Sequence, residues 1–148
     1  MRSLIYLRPP RIAMGLLAGA VVVHLAVPLT LLPSSMMAGV GAGLAGFLVM
    51  LRGWWLFKKL ETAICPTAET AVLITHDVYA LTRNPMYLGM ILMLLGCAIC
   101  TGSLPFYGVT AIYFLLINQV FCPYEERDLL DGYGVEYAEY KSRVRRWL

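Results

Sequence analysis

The chain has 148 residues, of which 59% are hydrophobic and only 14% are charged, and its mean hydropathy is +0.70. Soluble domains carry roughly 25% charged residues, so this composition excludes an ordinary soluble domain and indicates a membrane protein. The formal net charge of +3 is too small to indicate nucleic-acid binding, and no nucleic-acid partner is expected.

The first half of the chain predicts two membrane spans. Residues 12–51 contain no Asp, Glu, Lys or Arg, and the turn-forming residues at 33–35 divide this run. The predicted spans are therefore 12–32 and 36–57. At about 1.5 Å per residue, each reaches roughly 30 Å, which is the thickness of the hydrocarbon core of a bilayer.

The second half predicts two more spans. Residues 84–124 also contain no Asp, Glu, Lys or Arg, and a polar turn at 101–105 divides them into spans 86–100 and 105–122. The former is short, which implies local thinning of the bilayer or little tilt. The sequence thus predicts an all-α polytopic membrane protein with four transmembrane helices and a tail, 123–148.

The basic residues fall on one side of these predicted spans. Both short turns, near Ser34 and near Ser103, lack charge. By the positive-inside rule, both termini are expected to be cytoplasmic, in a protein of the cell (inner) membrane. No linker interrupts residues 1–148, so one membrane-embedded domain is expected. The basic residues outside the tail are Arg2, Arg8, Arg11, Arg52, Lys58, Lys59 and Arg83.

Glycines in the second span match a cofactor-binding pattern, but their context favours helix packing. The segment 41–46 reads GAGLAG, whereas a G-x-G-x-x-G fingerprint needs a preceding strand and a helix N-terminus aimed at phosphate. Small residues in a membrane helix let backbones approach closely. Because Gly43 follows Gly39 by four residues, we expect Gly43 to lie at a close helix contact.

Several polar or reactive residues inside the spans favour structural roles. Cys97 and Cys100 form a C-x-x-C pair deep in an apolar helix, where buried thiols are more expected than zinc or redox chemistry, and no metal site is predicted. His24 is expected to make a hydrogen bond between helices. Asn118 and Gln119 either make such bonds or form the edge of a substrate pocket.

The entrance to the third span combines polar and apolar chemistry. Pro85 suits the first turn of a helix, Asn84 is a favourable N-cap, and Arg83 stands just outside. Free backbone N–H groups and a guanidinium would form an anion site at the membrane surface. Alternatively, Arg83 anchors the span by snorkelling.

The tail places acidic and aromatic residues on the same side. Glu125 and Glu126 leave the fourth helix on the membrane face that holds Arg83, and adjacent carboxylates repel unless a cation lies nearby. Glycines at 132 and 134 break the helix. The following aromatic and apolar stripe predicts a cytoplasmic amphipathic helix, which lies in the interface or folds over a site. The stripe comprises Tyr133, Tyr137, Tyr140, Val144 and Trp147.

Two motifs together resemble a known family. They are RNPMYLG at 83–89 and YEERDLLDGYGVEYAEYKSRVRRWL at 124–148. Their order, and the helical hairpin between them, resemble the membrane methyltransferases that include isoprenylcysteine carboxyl methyltransferase and phospholipid N-methyltransferases. The resemblance covers roughly residues 50–148. It implies methyl transfer from S-adenosylmethionine, at the cytoplasmic face, to a lipid-like or small apolar acceptor that enters from the bilayer.

The resemblance also implies a site. Arg83 and Glu126 would have catalytic roles, with Arg83 on the carboxylate of the cofactor and Glu125 or Glu126 on its cationic end, so that they lie at opposite ends of the ligand. Arg143 would help to close the pocket. The implied cofactor-binding residues are Tyr79, Arg83, Asn84, Pro85, Tyr87, Gly89, Glu125, Glu126, Tyr137 and Tyr140.

Other functions fit parts of the pattern. Within methyltransferases, the acceptor could instead be a phospholipid amine or a small thiol. A membrane reductase with a nicotinamide cofactor has a similar arrangement, and a non-enzymatic helical scaffold needs no cofactor. Apart from the acceptor and membrane lipids, the sequence indicates no partner, and it leaves the oligomeric state open.

The charge distribution predicts which turns face the outside. Cysteines introduced at Ser34 and Ser103 should react with an impermeant maleimide added to intact cells, whereas a cysteine at Ser142 should not. The parent protein, with its native cysteines, is the control. Labelling of position 142 from outside would reverse the orientation.

Overall fold

The computed structural model describes residues 9–60 and 72–148, and these residues are predominantly helical. Residues Leu104–Tyr133 form one continuous helix that includes a π-helical turn. The elements in chain order are α1 (Pro9–Ala26), α2 (Met36–Lys59), a 3-10 turn (Asp77–Ala80), α3 (Pro85–Thr101), α4 (Leu104–Leu116), the π-helical turn (Ile117–Phe121), α5 (Cys122–Tyr133) and α6 (Val135–Arg143).

Three helices in the described part of the chain are long and apolar enough to span a membrane: α1, α2 and the continuous helix Leu104–Tyr133. Helix α3 is also apolar but has only 17 residues. It packs against α2 along its length and also contacts α4 and α1. The prediction of an all-α membrane protein is confirmed, while a fourth crossing by α3 stays a prediction.

The first span ends earlier than predicted. Helix α1 stops at Ala26 instead of continuing to residue 32, because Pro28 disfavours the helical conformation at Val27. The following loop pairs with the turn between α3 and α4, where the Leu32 N–H donates to the Gly102 carbonyl at 3.2 Å. Both turns therefore lie at the same end of the bundle.

A polar contact links α1 to this turn. His24 Nδ1 lies 2.9 Å from Ser103 Oγ, so His24 makes a structural hydrogen bond as expected, but to the turn before α4 and not to a residue within another helix. Ser103 is fully buried, so a cysteine at this position would not be open to an aqueous reagent. Ser34, which is exposed, is the better position for labelling from outside.

Glycines bring the backbones of α2 and α3 into contact. A Cβ on Gly46 would lie 2.5 Å from the carbonyl oxygen of Gly89, and a Cβ on Gly96 would lie 2.6 Å from that of Gly39. The backbone of Gly43 also lies at this contact, since a Cβ on Gly96 would lie 3.0 Å from Gly43 Cα. A Cβ on Gly43 itself would meet nothing within 4 Å, so Gly43 is at the close contact as expected, but a side chain there would not wedge the helices apart. In an α-helix, position 43 is rotated by roughly 40° from position 39, so its Cβ points past α3, whereas two full turns bring the Cβ of position 46 back to face α3.

The thiols of α3 are free. Cys97 and Cys100 are partly buried and form no disulfide, and the described residues contain no group of three or more metal-ligating side chains. Both cysteines line an apolar groove between α1 and α2, with Gly43 and Phe106 among its other lining residues. Cys65 lies outside the described residues.

The glycine contacts predict a matched difference in stability. Gly46→Ala should lower the free energy of unfolding by about 1 to 3 kcal/mol, because its methyl group would push α2 away from α3. Gly43→Ala should be neutral or stabilise by up to about 1 kcal/mol, since alanine favours the helix and has room. Thermal unfolding of both variants in detergent tests this, and equal losses would contradict the seam described above.

Candidate active site

The loop before α3 is held by the C-terminal residues. Asn84 occupies the predicted N-cap position of α3 but its side chain makes no capping bond. Instead, Asn84 Nδ2 donates to the Arg146 carbonyl at 3.4 Å, and the Thr82 hydroxyl donates to the same oxygen at 2.8 Å. The Arg83 N–H donates to the Arg145 carbonyl at 3.0 Å. The last residues of the chain therefore lie along the entrance of α3.

Three cations surround the buried carboxylate of Glu126. Its Oε1 accepts from Arg146 Nε at 2.7 Å and lies 3.2 Å from Arg83 Nη1, and its Oε2 accepts from Lys141 Nζ at 3.0 Å. We call these four residues the Glu126 cluster. It carries more positive than negative charge. It also brings Arg83 and Glu126 into direct contact, whereas the sequence led us to expect them at opposite ends of a ligand.

The guanidinium of Arg83 is only partly satisfied. Its Nη1 donates to the Tyr137 hydroxyl at 3.2 Å, while its Nε is buried and has no hydrogen-bond partner among the described residues. Its side chain is 9% exposed, so Arg83 does not extend into water as a snorkelling anchor would. A buried N–H without an acceptor is costly, and an anionic ligand would satisfy it.

The neighbouring carboxyl group of Glu125 faces α3. The Tyr87 hydroxyl donates to Glu125 Oε1, and Oε2 has no hydrogen-bond partner in the described part of the chain. Successive residues of an α-helix project about 100° apart. Glu125 and Glu126 therefore meet different partners, which removes the repulsion expected between adjacent carboxylates.

Helix α6 folds back over the entrance of α3. Gly134 has φ +54°, a conformation that side chains disfavour, and it lets the chain reverse after α5. Tyr137 and Tyr140 are buried, and the Tyr140 hydroxyl donates to the Tyr79 carbonyl at 2.7 Å. Burial raises the pKa of Tyr140 above its ordinary value, so its hydroxyl stays a donor. Of the two arrangements open for the tail, the structure shows the folded-over one.

A short turn positions Tyr79. Asp77 begins it with φ +61°, and its carboxylate accepts from the Val78 N–H at 2.8 Å and from Arg52 Nη2 at 2.5 Å. The hydrogen bond from Arg52 holds the pKa of Asp77 below its usual range. This pair ties the turn to α2.

Comparison with known proteins agrees with this arrangement. Residues 34–136, more than half of the chain, match the model of the phospholipid methyltransferase family. The chain belongs to this family. The resemblance seen in the two sequence motifs is thereby confirmed.

Two curated relatives have informative names. The chain is 43% identical over 71 residues to methanethiol S-methyltransferase 1 of Bradyrhizobium diazoefficiens, which covers 47% of the chain and 24% of that protein. It is 34% identical over 76 residues to protein-S-isoprenylcysteine O-methyltransferase A of Arabidopsis thaliana, covering 49% of the chain and 36% of that protein. The chain thus spans only part of these relatives. No solved structure matches significantly.

Two residues implied by the family pattern lie elsewhere. Gly89 packs against Gly46 and Met50 in the seam between α2 and α3. Any side chain there would collide with α2, which accounts for a glycine at this position. Arg143 is exposed and donates to the Glu139 carbonyl at 3.4 Å. The structure therefore places neither of them in the Glu126 cluster.

The structure also adds residues that sequence reasoning missed. Lys141 and Arg146 join Glu126, and Arg146 also contacts Asn118. The tail contains several basic residues close together, and helix spacing alone does not distinguish those that turn inward. The reversal of the chain at Gly134 decides which of these basic residues face Glu126.

A second apolar groove, separate from the one between α1 and α2, lies beside the Glu126 cluster, and we refer to this second one as the apolar groove. Its volume is about 280 Å³. The Trp147 ring packs against Phe114 with centroids 5.3 Å apart. Trp147 follows Arg146 directly, so the polar cluster and the groove share the C-terminal segment as a wall. The lining residues are Leu88, Ile91, Phe114, Trp147 and Leu148.

The Glu126 cluster predicts a ranked effect on stability. Glu126→Gln should lower the free energy of unfolding by about 3 to 5 kcal/mol, because the buried guanidinium of Arg83 loses its anion. Lys141→Met should cost at most about 1 kcal/mol, since the Lys141 side chain is 46% exposed and its ion pair is screened by water. Thermal unfolding in detergent measures both. A larger loss for Lys141→Met would overturn the ranking.

Proposed function

We propose that the chain is an S-adenosylmethionine-dependent methyltransferase, similar to isoprenylcysteine carboxyl methyltransferase, that acts on a lipophilic acceptor at the cytoplasmic membrane face. Residues 1–148 would form one domain of an inner-membrane protein with both termini cytoplasmic. The observation that carries the proposal is the buried Nε of Arg83, which has no partner among the described residues and lies in a cluster of excess positive charge. A methyltransferase needs a site for an ionic cofactor, and the guanidinium of Arg83 suits the carboxylate of S-adenosylmethionine.

The residues around Arg83 fit the two charged ends of such a cofactor. Arg83 Nε and the first backbone N–H groups of α3, which have no helical acceptor, would bind the carboxylate. Glu125, whose Oε2 lacks a partner among the described residues, would face the cationic sulfonium or ammonium. Asn84 and Tyr87 lie at this entrance, and Tyr79, Tyr137 and Tyr140 would cover it.

We assign Glu126 a different role from the one implied by the family pattern. Its two oxygens are already occupied by Arg146, Lys141 and Arg83. It would therefore act on the cofactor through Arg83, by fixing the direction of the guanidinium. Glu126 is in this proposal a positioning residue, and Glu125 is the carboxyl group that touches the ligand.

The chemistry asks little acid or base catalysis of the protein. When bound, S-adenosylmethionine supplies a methyl group on a positively charged sulfur. The acceptor forms a bond to the methyl carbon while the carbon–sulfur bond breaks and its electron pair stays on sulfur. The residues of the site must align the reactants and exclude water. Burial of Arg83, Tyr137 and Tyr140 supports the second task.

The apolar groove would hold the hydrocarbon part of the acceptor. It is lined by apolar and aromatic side chains, with Trp147 adjoining the polar cluster through Arg146. The names of the two relatives specify methanethiol and isoprenylcysteine. A lipid-like or small apolar acceptor fits both the groove and these names.

Binding and transfer experiments test the proposal. Arg83→Met should weaken binding of S-adenosylmethionine and S-adenosylhomocysteine by about 1.5 to 3 kcal/mol, because it keeps an apolar stem but loses the donors to a carboxylate. Arg127→Met is the matched control, since Arg127 is an exposed arginine beside the site. Titration calorimetry of the purified protein measures both ligands.

A radiolabelled methyl group then identifies the acceptor class. Label from S-adenosylmethionine should enter an apolar acceptor in a membrane extract, and chromatography would separate prenylated, thiol and phospholipid products. If the parent protein binds neither ligand and transfers no label, the enzyme proposal fails. Tight binding by Arg83→Met would instead show that the cofactor site lies elsewhere.

A further inference from the structure

The π-helical turn leaves one backbone carbonyl without a helical donor. At its end the Cys122 N–H donates to the Ile117 carbonyl, five residues back, instead of to the Asn118 carbonyl, four residues back. The next N–H that could reach the Asn118 carbonyl would come from residue 123, which is a proline and has none. The carbonyl of Asn118 is therefore free to accept a bond from outside the helix.

Both oxygens of Asn118 bind the end of the chain. Arg146 Nη1 donates to the backbone oxygen and to Oδ1, each at 3.2 Å, and Trp147 Nε1 donates to Oδ1 at 3.0 Å. A guanidinium and an indole N–H thus meet one residue at the point where the helix is interrupted. This arrangement fixes where residues 144–148, which we call the C-terminal strap, lie against the bundle.

The strap separates two different environments. On one side Arg146 Nε reaches the Glu126 carboxylate at 2.7 Å. On the other side Trp147 and Leu148 line the apolar groove, where the Trp147 ring packs on Phe114. The strap is also bonded to Thr82, in the entrance of α3, through the Arg146 carbonyl. Displacing the strap would disturb both the entrance of α3 around Arg83 and the apolar groove.

We propose that Asn118 is a positioning residue that anchors the C-terminal strap, so that Trp147 forms the wall between the cofactor cluster and the acceptor groove. The inference rests on the proposed function for the identity of these two sites. Asn118 acts through Arg146 and Trp147. Loss of the oxygen acceptors of Asn118 should therefore release the strap. The same loss should weaken cofactor binding and open the apolar groove.

Removal of C-terminal residues by a carboxypeptidase reports release of the strap. In Asn118→Leu, Leu148 and Trp147 should be cleaved about ten times faster than in the parent, because hydrogen bonds to a charged group and to the indole are lost. Asn118→Asp keeps oxygen acceptors and should match the parent. Gln119→Leu is the matched control, since Gln119 is exposed. Mass spectrometry of the detergent-purified full chain follows the cleavage.

Titration with S-adenosylhomocysteine adds a second readout. Asn118→Leu should raise the dissociation constant several-fold, and Asn118→Asp should restore it; a merely structural helix position would not show this rescue. Parent-like cleavage and affinity in Asn118→Leu would overturn the anchor, as would equally fast cleavage in Asn118→Asp. If the leucine variant does not fold, Asn118→Ala takes its place with the same criteria. If the parent binds no S-adenosylhomocysteine, the proposed function fails, while the cleavage rates still decide the role of Asn118.

Discussion

The buried carboxylate of Glu126 holds together segments that would otherwise have little reason to meet. At 7% exposure it has lost most of its hydration, which is costly unless cations replace the water. Arg83 from the entrance of α3, Lys141 from α6 and Arg146 from the strap supply them. One anion therefore fixes the positions of three segments. The tail cannot leave the site without removing two of the cations that pair with this buried carboxylate.

The same cluster explains why the site suits an ionic ligand. One carboxylate does not balance three cations, and Arg83 keeps a buried donor that has no partner in the described part of the chain. Glu125, next to Glu126 in the helix, bonds to Tyr87 and leaves an oxygen without a partner among the described residues. A donor and an acceptor are thus left over on neighbouring elements. A zwitterionic ligand would complete both, which an apolar or singly charged ligand would not do.

The sequence was sufficient where a local rule decides the outcome. Pro85 begins α3, and Gly134 ends α5, because each has a strong backbone preference. The sequence was insufficient where tertiary packing decides the position of a residue. Gly43 belongs to the same glycine pattern as Gly39 and its backbone contacts α3, yet helix rotation leaves room for a Cβ at position 43 and none at position 39. Likewise, Arg146 differs from the neighbouring basic residues only through the path of the strap after α6.

The interruption of the helical hydrogen bonds before α5 links local backbone structure to tertiary packing. A proline at residue 123 withholds an N–H and Cys122 bonds to Ile117, so the Asn118 carbonyl accepts the same guanidinium that reaches Glu126. A backbone defect in an apolar helix is therefore offset by an arginine that also serves the charged cluster. Since Trp147 follows directly, the geometry that satisfies this carbonyl also places an aromatic wall on the groove. Polar and apolar parts of the site are coupled because they share five consecutive residues.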